Sequence, residues 1–144
     1  MKILDVITED LSDQKNLFVN IVSKFLPIAV KYIELKDLPR IVWQINVHSD
    51  DQPTFGKYMK EENTLYVAVS NRHPNDVLRT LAHELVHYKQ DIENKLTSTS
   101  GDTGSDIENE AHAIAGIVMR HFNKKYPEFL KSKPLVFESL PQKL

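Results

Sequence analysis

No cysteine occurs among the 144 residues. Disulfides and cysteine-based zinc sites are therefore excluded, and any metal must be held by His, Asp or Glu. Absence of cysteine fits a reducing compartment. An excess of one charge is missing too. The 18 basic residues nearly cancel the 20 acidic ones, and the net charge of -2 gives no general attraction to nucleic acid or to an anionic membrane. Met1-Lys2-Ile3-Leu4-Asp5 reaches an acidic residue too early for a signal peptide. No apolar run approaches the roughly 20 residues that span a bilayer. These absences predict a soluble, cytoplasmic protein with neither membrane nor nucleic-acid partner. A hydrophobic content of 41% is well above the disordered range, and 144 residues suit one domain with one core.

Periodicity outlines that domain. Leu17, Ile21, Phe25 and Ala29 recur at helical spacing within residues 11–36, where Pro27 is expected to kink or split the helix. Residues 40–48 alternate as one half-buried strand, with Ile41, Trp43, Ile45 and Val47 on one face. Residues 54–59 and 64–70 read as two more strands joined by a polar turn at 60–63. Pro74-Asn75-Asp76 opens a helix to about Asn94, with Leu78, Leu81, Leu85 and Ile92 as an apolar back. Ser105 and Glu108 form a capping-box signature before a last helix to about Tyr126. Residues 127–144 contain Pro127, Pro134 and Pro141 and are expected to be an irregular tail. The chain shows no repeats. The fold class predicted for 1–144 is α+β, a single domain with an N-terminal helix and a small, three-stranded, mostly antiparallel sheet, followed by two helices.

His83-Glu84-Leu85-Val86-His87 carries the chemistry. Residues four apart on a helix lie about 5–6 Å from each other on one face. Two imidazoles at that spacing can reach one Zn²⁺ at roughly 2.0–2.1 Å. Glu84 then stands where it can take a proton from a metal-bound water, the H-E-x-x-H logic of zinc peptidases. A catalytic zinc usually has three protein ligands and one open position. The last helix offers Glu108, Glu110 and His112. If Ile107, Ala111, Ile114, Val118 and Phe122 form its buried stripe, Glu110 falls on the stripe's edge. A buried carboxylate needs a partner such as a metal, so Glu110 is the predicted third ligand, with His83 and His87.

This arrangement, with Asn109-Glu110-Ala111 on a following helix, resembles the gluzincin group of zinc metallopeptidases. Glu110-Ala111-His112-Ala113-Ile114-Ala115 is similar to the Glu-Ala-Asn-x-Phe-Ala element of small ImmA/IrrE-type peptidases. The resemblance spans residues 40–120 and implies a zincin-like minimal catalytic domain. Phage genomes encode small zincins of this kind. Gluzincins often place an Asp one turn after the Glu ligand to orient a histidine; here that position is Ile114. Orientation must then come from Asp106, Asp91 or a backbone carbonyl. His87 lacks the following Gly and third His of metzincins. SprT-type zincins work near DNA with strongly basic regions, which the near-neutral charge does not support.

The function expected is zinc-dependent hydrolysis of peptide bonds in a peptide or protein substrate, with Glu84 as general base. The alternatives are a peptidoglycan amidase or a non-catalytic zinc module that binds a partner. His73, Arg72, Tyr58, Tyr66, Tyr88 and His112 are candidates to stabilise the oxyanion. The strand at 64–70, if an edge, offers its backbone to an extended substrate. Arg79 is expected to pair with Glu110 or Asp106, Gln90 to be a surface residue, and His48 and His121 to be ordinary histidines. Asp102-Thr103-Gly104-Ser105-Asp106 fits a turn plus helix cap better than a calcium loop. Leu135-Val136-Phe137-Glu138 is a candidate autoinhibitory segment.

Overall fold

The computed structural model describes residues 9–95 and 105–135. The first helix, α1, spans Glu9–Ile33 and runs through Pro27 without a break. Proline in a helix interior costs about 3 kcal/mol, yet here packing outweighs it. Phe18, Ile21, Phe25, Ala29 and Ile33 are fully enclosed, while Pro27 and Ser23, whose carbonyl loses its amide partner, lie toward solvent. Phe18 meets Trp43 edge-on at 4.8 Å, and Phe25 meets Phe122 at 5.4 Å. Glu34 in the left-handed region and the Leu35 N–H to Val30 O bond (3.0 Å) close the helix as a Schellman cap. Lys15–Ile33 is long and apolar enough to cross a membrane by length and composition alone, with mean hydropathy 1.3. Its largest apolar side chains are instead buried among the other elements.

Strand β1 is Arg40–Gln44, shorter than the alternation suggests. The chain then forms a separate hairpin of β2, Val47–Ser49, and β3, Gln52–Thr54. Asp50 and Asp51 both have positive φ (51° and 63°), as a two-residue type I′ turn requires. A bend at Ile45 and Asn46, between β1 and β2, splits the single strand expected over 40–48. Strands β4, Gly56–Met59, and β5, Thr64–Ala68, pair antiparallel through a 3-10 turn at Lys60–Glu62. β1 pairs parallel to β5, so the main sheet has the order β1-β5-β4 and is evenly mixed. β5 lies in its interior, which rules out 64–70 as an edge for substrate; β4 is the edge beside the helices.

Helix α2 covers Pro74–Ile92 and helix α3 Asp106–Lys125. The fold class is the α+β layout expected. The three helices share one core with Trp43, Leu65, Val67 and Val69 from one face of the sheet. On that face Gly56 brings β4 against α2. A Cβ there would sit 2.6 Å from Thr80 Cγ2 and 3.3 Å from Glu84 Cγ, so only glycine permits the approach.

Residues 127–135, the described part of the tail, depart from the irregular chain expected. Pro127–Lys131 forms a 3-10 helix with Phe129 buried, and Leu135 is buried in a β-bridge to Arg72. Its N–H donates to Arg72 O (2.8 Å) and its carbonyl accepts from Asn71 N–H (2.9 Å). Residues 136–138 of the proposed autoinhibitory segment lie outside the described residues, as do 102–104 of the calcium-like stretch. Leu135 therefore staples the chain to the entrance of α2. Leu135→Ala is expected to cost about 2–5 kcal/mol in chemical denaturation; a loss below about 1 kcal/mol would show that the staple carries little of the fold.

Candidate metal centre

α2 begins under firm local control. His73 caps it, its Nδ1 accepting from Asn75 N–H (3.0 Å), and Pro74 occupies the first turn. The apolar residues Leu78, Leu81 and Leu85 turn into the core, and His83, Glu84 and His87 face a cleft of about 600 Å³. His83 Nε2 and His87 Nε2 lie 3.1 Å apart.

The carboxylate that meets them belongs to Glu108. Its Oε1 is 2.6 Å from His83 Nε2 and its Oε2 is 3.2 Å from His87 Nε2. Glu110 is not at this point; its Oε1 accepts from Gln90 Nε2 at 2.9 Å. The correction has a physical cause. The buried residues of α3 are Ala111, Ala115, Val118, Met119 and Phe122, and Ile107 and Ile114 are only half-buried. The true stripe is rotated toward Glu108, one turn before Ala111 and His112, and away from Glu110. Ser105 still caps α3 by accepting from Glu108 N–H (3.1 Å), which holds the carboxylate's backbone in place.

Gln90, expected at the surface, is 1% exposed and sits behind the His87 ring. Its Nε2 donates to Ile107 O (3.0 Å) and to Glu110. A carbonyl only accepts, so the amide nitrogen must face Ile107 and Oε1 must face His87 Nδ1, at 2.8 Å. His87 therefore carries its proton on Nδ1, as a metal-ligating imidazole does. In the neutral ring, Nε2 then presents a lone pair to the Glu108 oxygen. Two lone pairs facing each other in a half-buried site require a proton or a cation between them. Asp91, by contrast, accepts from Tyr58 and Lys60, and Asp106 is exposed, so neither takes the orienting role considered for it.

Zinc fits these residues. Bonds of about 2.0–2.1 Å in a tetrahedron set its ligand atoms roughly 3.3–3.4 Å apart, close to the 3.1 and 3.2 Å that separate His87 Nε2 from His83 Nε2 and Glu108 Oε2, and wider than the 2.6 Å between His83 Nε2 and Glu108 Oε1. Burial lowers the pKa of His83, and the neighbouring His87 adds to the shift, which favours a neutral ring with a lone pair to offer. Glu84 is buried next to the imidazoles, its ligand atom within 4.8 Å of theirs. Burial, then the nearby Glu108, pushes its pKa up to about 8.

The other expected residues divide sharply. His112 is at the site, its ring 4.5 Å from that of His83 and its Nε2 3.4 Å from Glu108 Oε1. Tyr58 lines the cleft but donates to Asp91 (2.6 Å). Tyr66 donates to Glu62 and Tyr88 to Asp37. Arg72 is committed to Ala68 O, Asp76 O and Thr80 Oγ1, and His73 to its cap and Leu130 O. Arg79 lines the cleft, exposed, and pairs with neither Glu110 nor Asp106 among the described residues. His121 stacks on Tyr32 at 3.8 Å, far along α3. Sequence reading missed Gln90 and Gly56; the i+3 spacing of Gln90 from His87 was the available signal.

No family model, curated protein or solved structure matches this chain.

Two outcomes follow. In competition with a chromophoric chelator, Glu108→Ala is expected to weaken zinc binding far more than Glu110→Ala, and Gln90→Leu to weaken it about 10–100-fold. A larger loss in Glu110→Ala would reverse the ligand assignment. Without metal, the raised pKa of Glu84 favours folding fully below its ordinary value of 4.5, and that contribution is lost as pH rises toward about 8. The stability of Glu84→Gln relative to wild type is thus expected to increase over this window in thermal melts with chelator present. A constant difference would place Glu84 in contact with water.

Proposed function

We propose that this protein is a zinc-dependent peptidase of the gluzincin kind, with His83, His87 and Glu108 as metal ligands and Glu84 as general base. The supporting observation is the convergence of two imidazoles and one carboxylate on a single point, with a further buried carboxylate beside it. Zinc held there would act as a Lewis acid, polarising a carbonyl and lowering the pKa of a water toward roughly 7.

The chain's own residues supply the rest. Glu84 takes the proton of the attacking water and delivers it to the leaving amine. A purely structural site has no use for this carboxylate, which argues for catalysis. His112, exposed on the cleft side of the cluster, donates to the developing oxyanion. β4 lines the cleft at Gly56, Lys57 and Tyr58 and has a free side in the main sheet. An extended peptide adds to that side as a further strand, which places its backbone across the imidazoles. The protein works as a soluble cytoplasmic enzyme on peptide or protein substrates, and it needs no nucleic acid.

Elemental mass spectrometry of the purified protein is expected to find about one zinc per chain. Glu84→Gln should keep that zinc and lower kcat on a susceptible peptide by about 10²–10⁴-fold. Absence of zinc after titration, or full activity in Glu84→Gln, would overturn this reading.

A further inference from the structure

We infer that the cleft selects peptides with a carboxylate side chain close to the scissile bond, and that Arg79 reads it. The inference builds on the peptidase reading for its substrate class, while its binding test does not require cleavage.

The charges lining the cleft are segregated. Its carboxylates, among the described residues, are Glu84 and Glu108, and both belong to the imidazole cluster. Arg79 and Lys57 line the same cleft with no carboxylate partner among the described residues. Lys57 Nζ donates to His48 O (2.7 Å) and lies over the Tyr66 ring, so it is tethered at the rim. Arg72 is nearby, its guanidinium 4.2 Å from the ring centre of the exposed Phe55, but its donors are spent on Ala68, Asp76 and Thr80. Arg79 is different: it is exposed and makes no hydrogen bond or ion pair with any described residue. Its five N–H donors form a fork that suits a carboxylate.

Position then sets the register. Arg79 precedes His83 by four residues on α2, a rise of about 6 Å. An extended peptide advances about 3.3 Å per residue. A carboxylate held by Arg79 therefore comes from a residue one or two positions from the carbonyl over the imidazoles. A basic side chain there meets a like charge with no acid beside it among the described residues outside the imidazole cluster.

The test uses zinc-loaded Glu84→Gln protein and two dye-labelled peptides that differ only in Glu or Lys, placed in turn one and two positions either side of a central bond. Fluorescence anisotropy is expected to show the Glu peptide bound about 3–5-fold more tightly at one of these positions, with the preference shrinking at high salt. Adding Arg79→Gln should abolish it and Arg79→Glu reverse it, with zinc content unchanged. Equal binding of the two peptides at every position, or a preference that persists in Arg79→Gln, would overturn the inference. Selective binding with no cleavage by the wild-type protein would leave the inference standing and remove the peptidase reading instead.

Discussion

Two imidazoles and a carboxylate turned toward one another at the seam of two helices set the terms for the rest of this molecule. His87 Nε2 is aimed at Glu108 because Gln90 holds the opposite side of the ring, and Gln90 is held in turn by the Ile107 carbonyl and by Glu110. Buried polar networks repay their desolvation only when every member finds a partner. Here the network is complete on the side away from the cleft and, on the cleft side, asks for a positive charge. α2 and α3 must be packed closely for this to exist, and the small residues Ala82, Ala111 and Ala115, all buried, suit that packing.

The sheet serves the same centre. Its interior strand, β5, buries Leu65 and Val67 under the helices, while β4 slides in beside α2 because Gly56 has no side chain to meet Thr80 and Glu84. That contact closes water off from Glu84 and raises its pKa. A carboxyl group kept protonated by burial returns to the carboxylate form when a cation arrives nearby. Desolvation and a bound cation would thus be opposed forces on one residue, and under the proposed function their balance would suit a group that accepts and returns a proton near neutral pH.

Much of this was legible in the residues. The α+β layout, the strand pair at 56–68, the helix from Pro74 and the cap at Ser105 all followed from period and end signals that tertiary packing did not override. The cleft-facing histidines were legible because both lie opposite an apolar back. The third carboxylate was not, because Ile107 and Ile114 are as apolar as Ala111 and Ala115 yet sit at the flank. A stripe drawn by hydrophobicity gave weight to the larger side chains, whereas the true seam is built of alanines that permit close approach. Gln90 was hidden for a related reason: an amide among charged residues reads as surface, and only the partner helix shows what it binds. Pro27 misled in the other direction, since a proline on the solvent side of a well-buried helix removes one hydrogen bond and leaves the packing intact.

The proposal of Glu108 in place of Glu110 as ligand also changes what the resemblance to gluzincins would mean. In that group a residue one turn after the glutamate ligand orients a zinc-binding histidine, and from Glu108 that position is His112, not Ile114. His112 is on the exposed side of the cluster and near Glu108 and His83, so it does not support His87 from behind. Support comes instead from Gln90 on the same helix as the histidine, with Glu110 behind it. Glu110 thus reaches His87 only through an amide, which transmits the direction of the hydrogen bond without placing a second negative charge against the ring. Two carboxylates in contact with the imidazoles, in addition to Glu84, would crowd three like charges into one half-buried site. An uncharged relay avoids that repulsion and leaves His112 on the open side of the cleft.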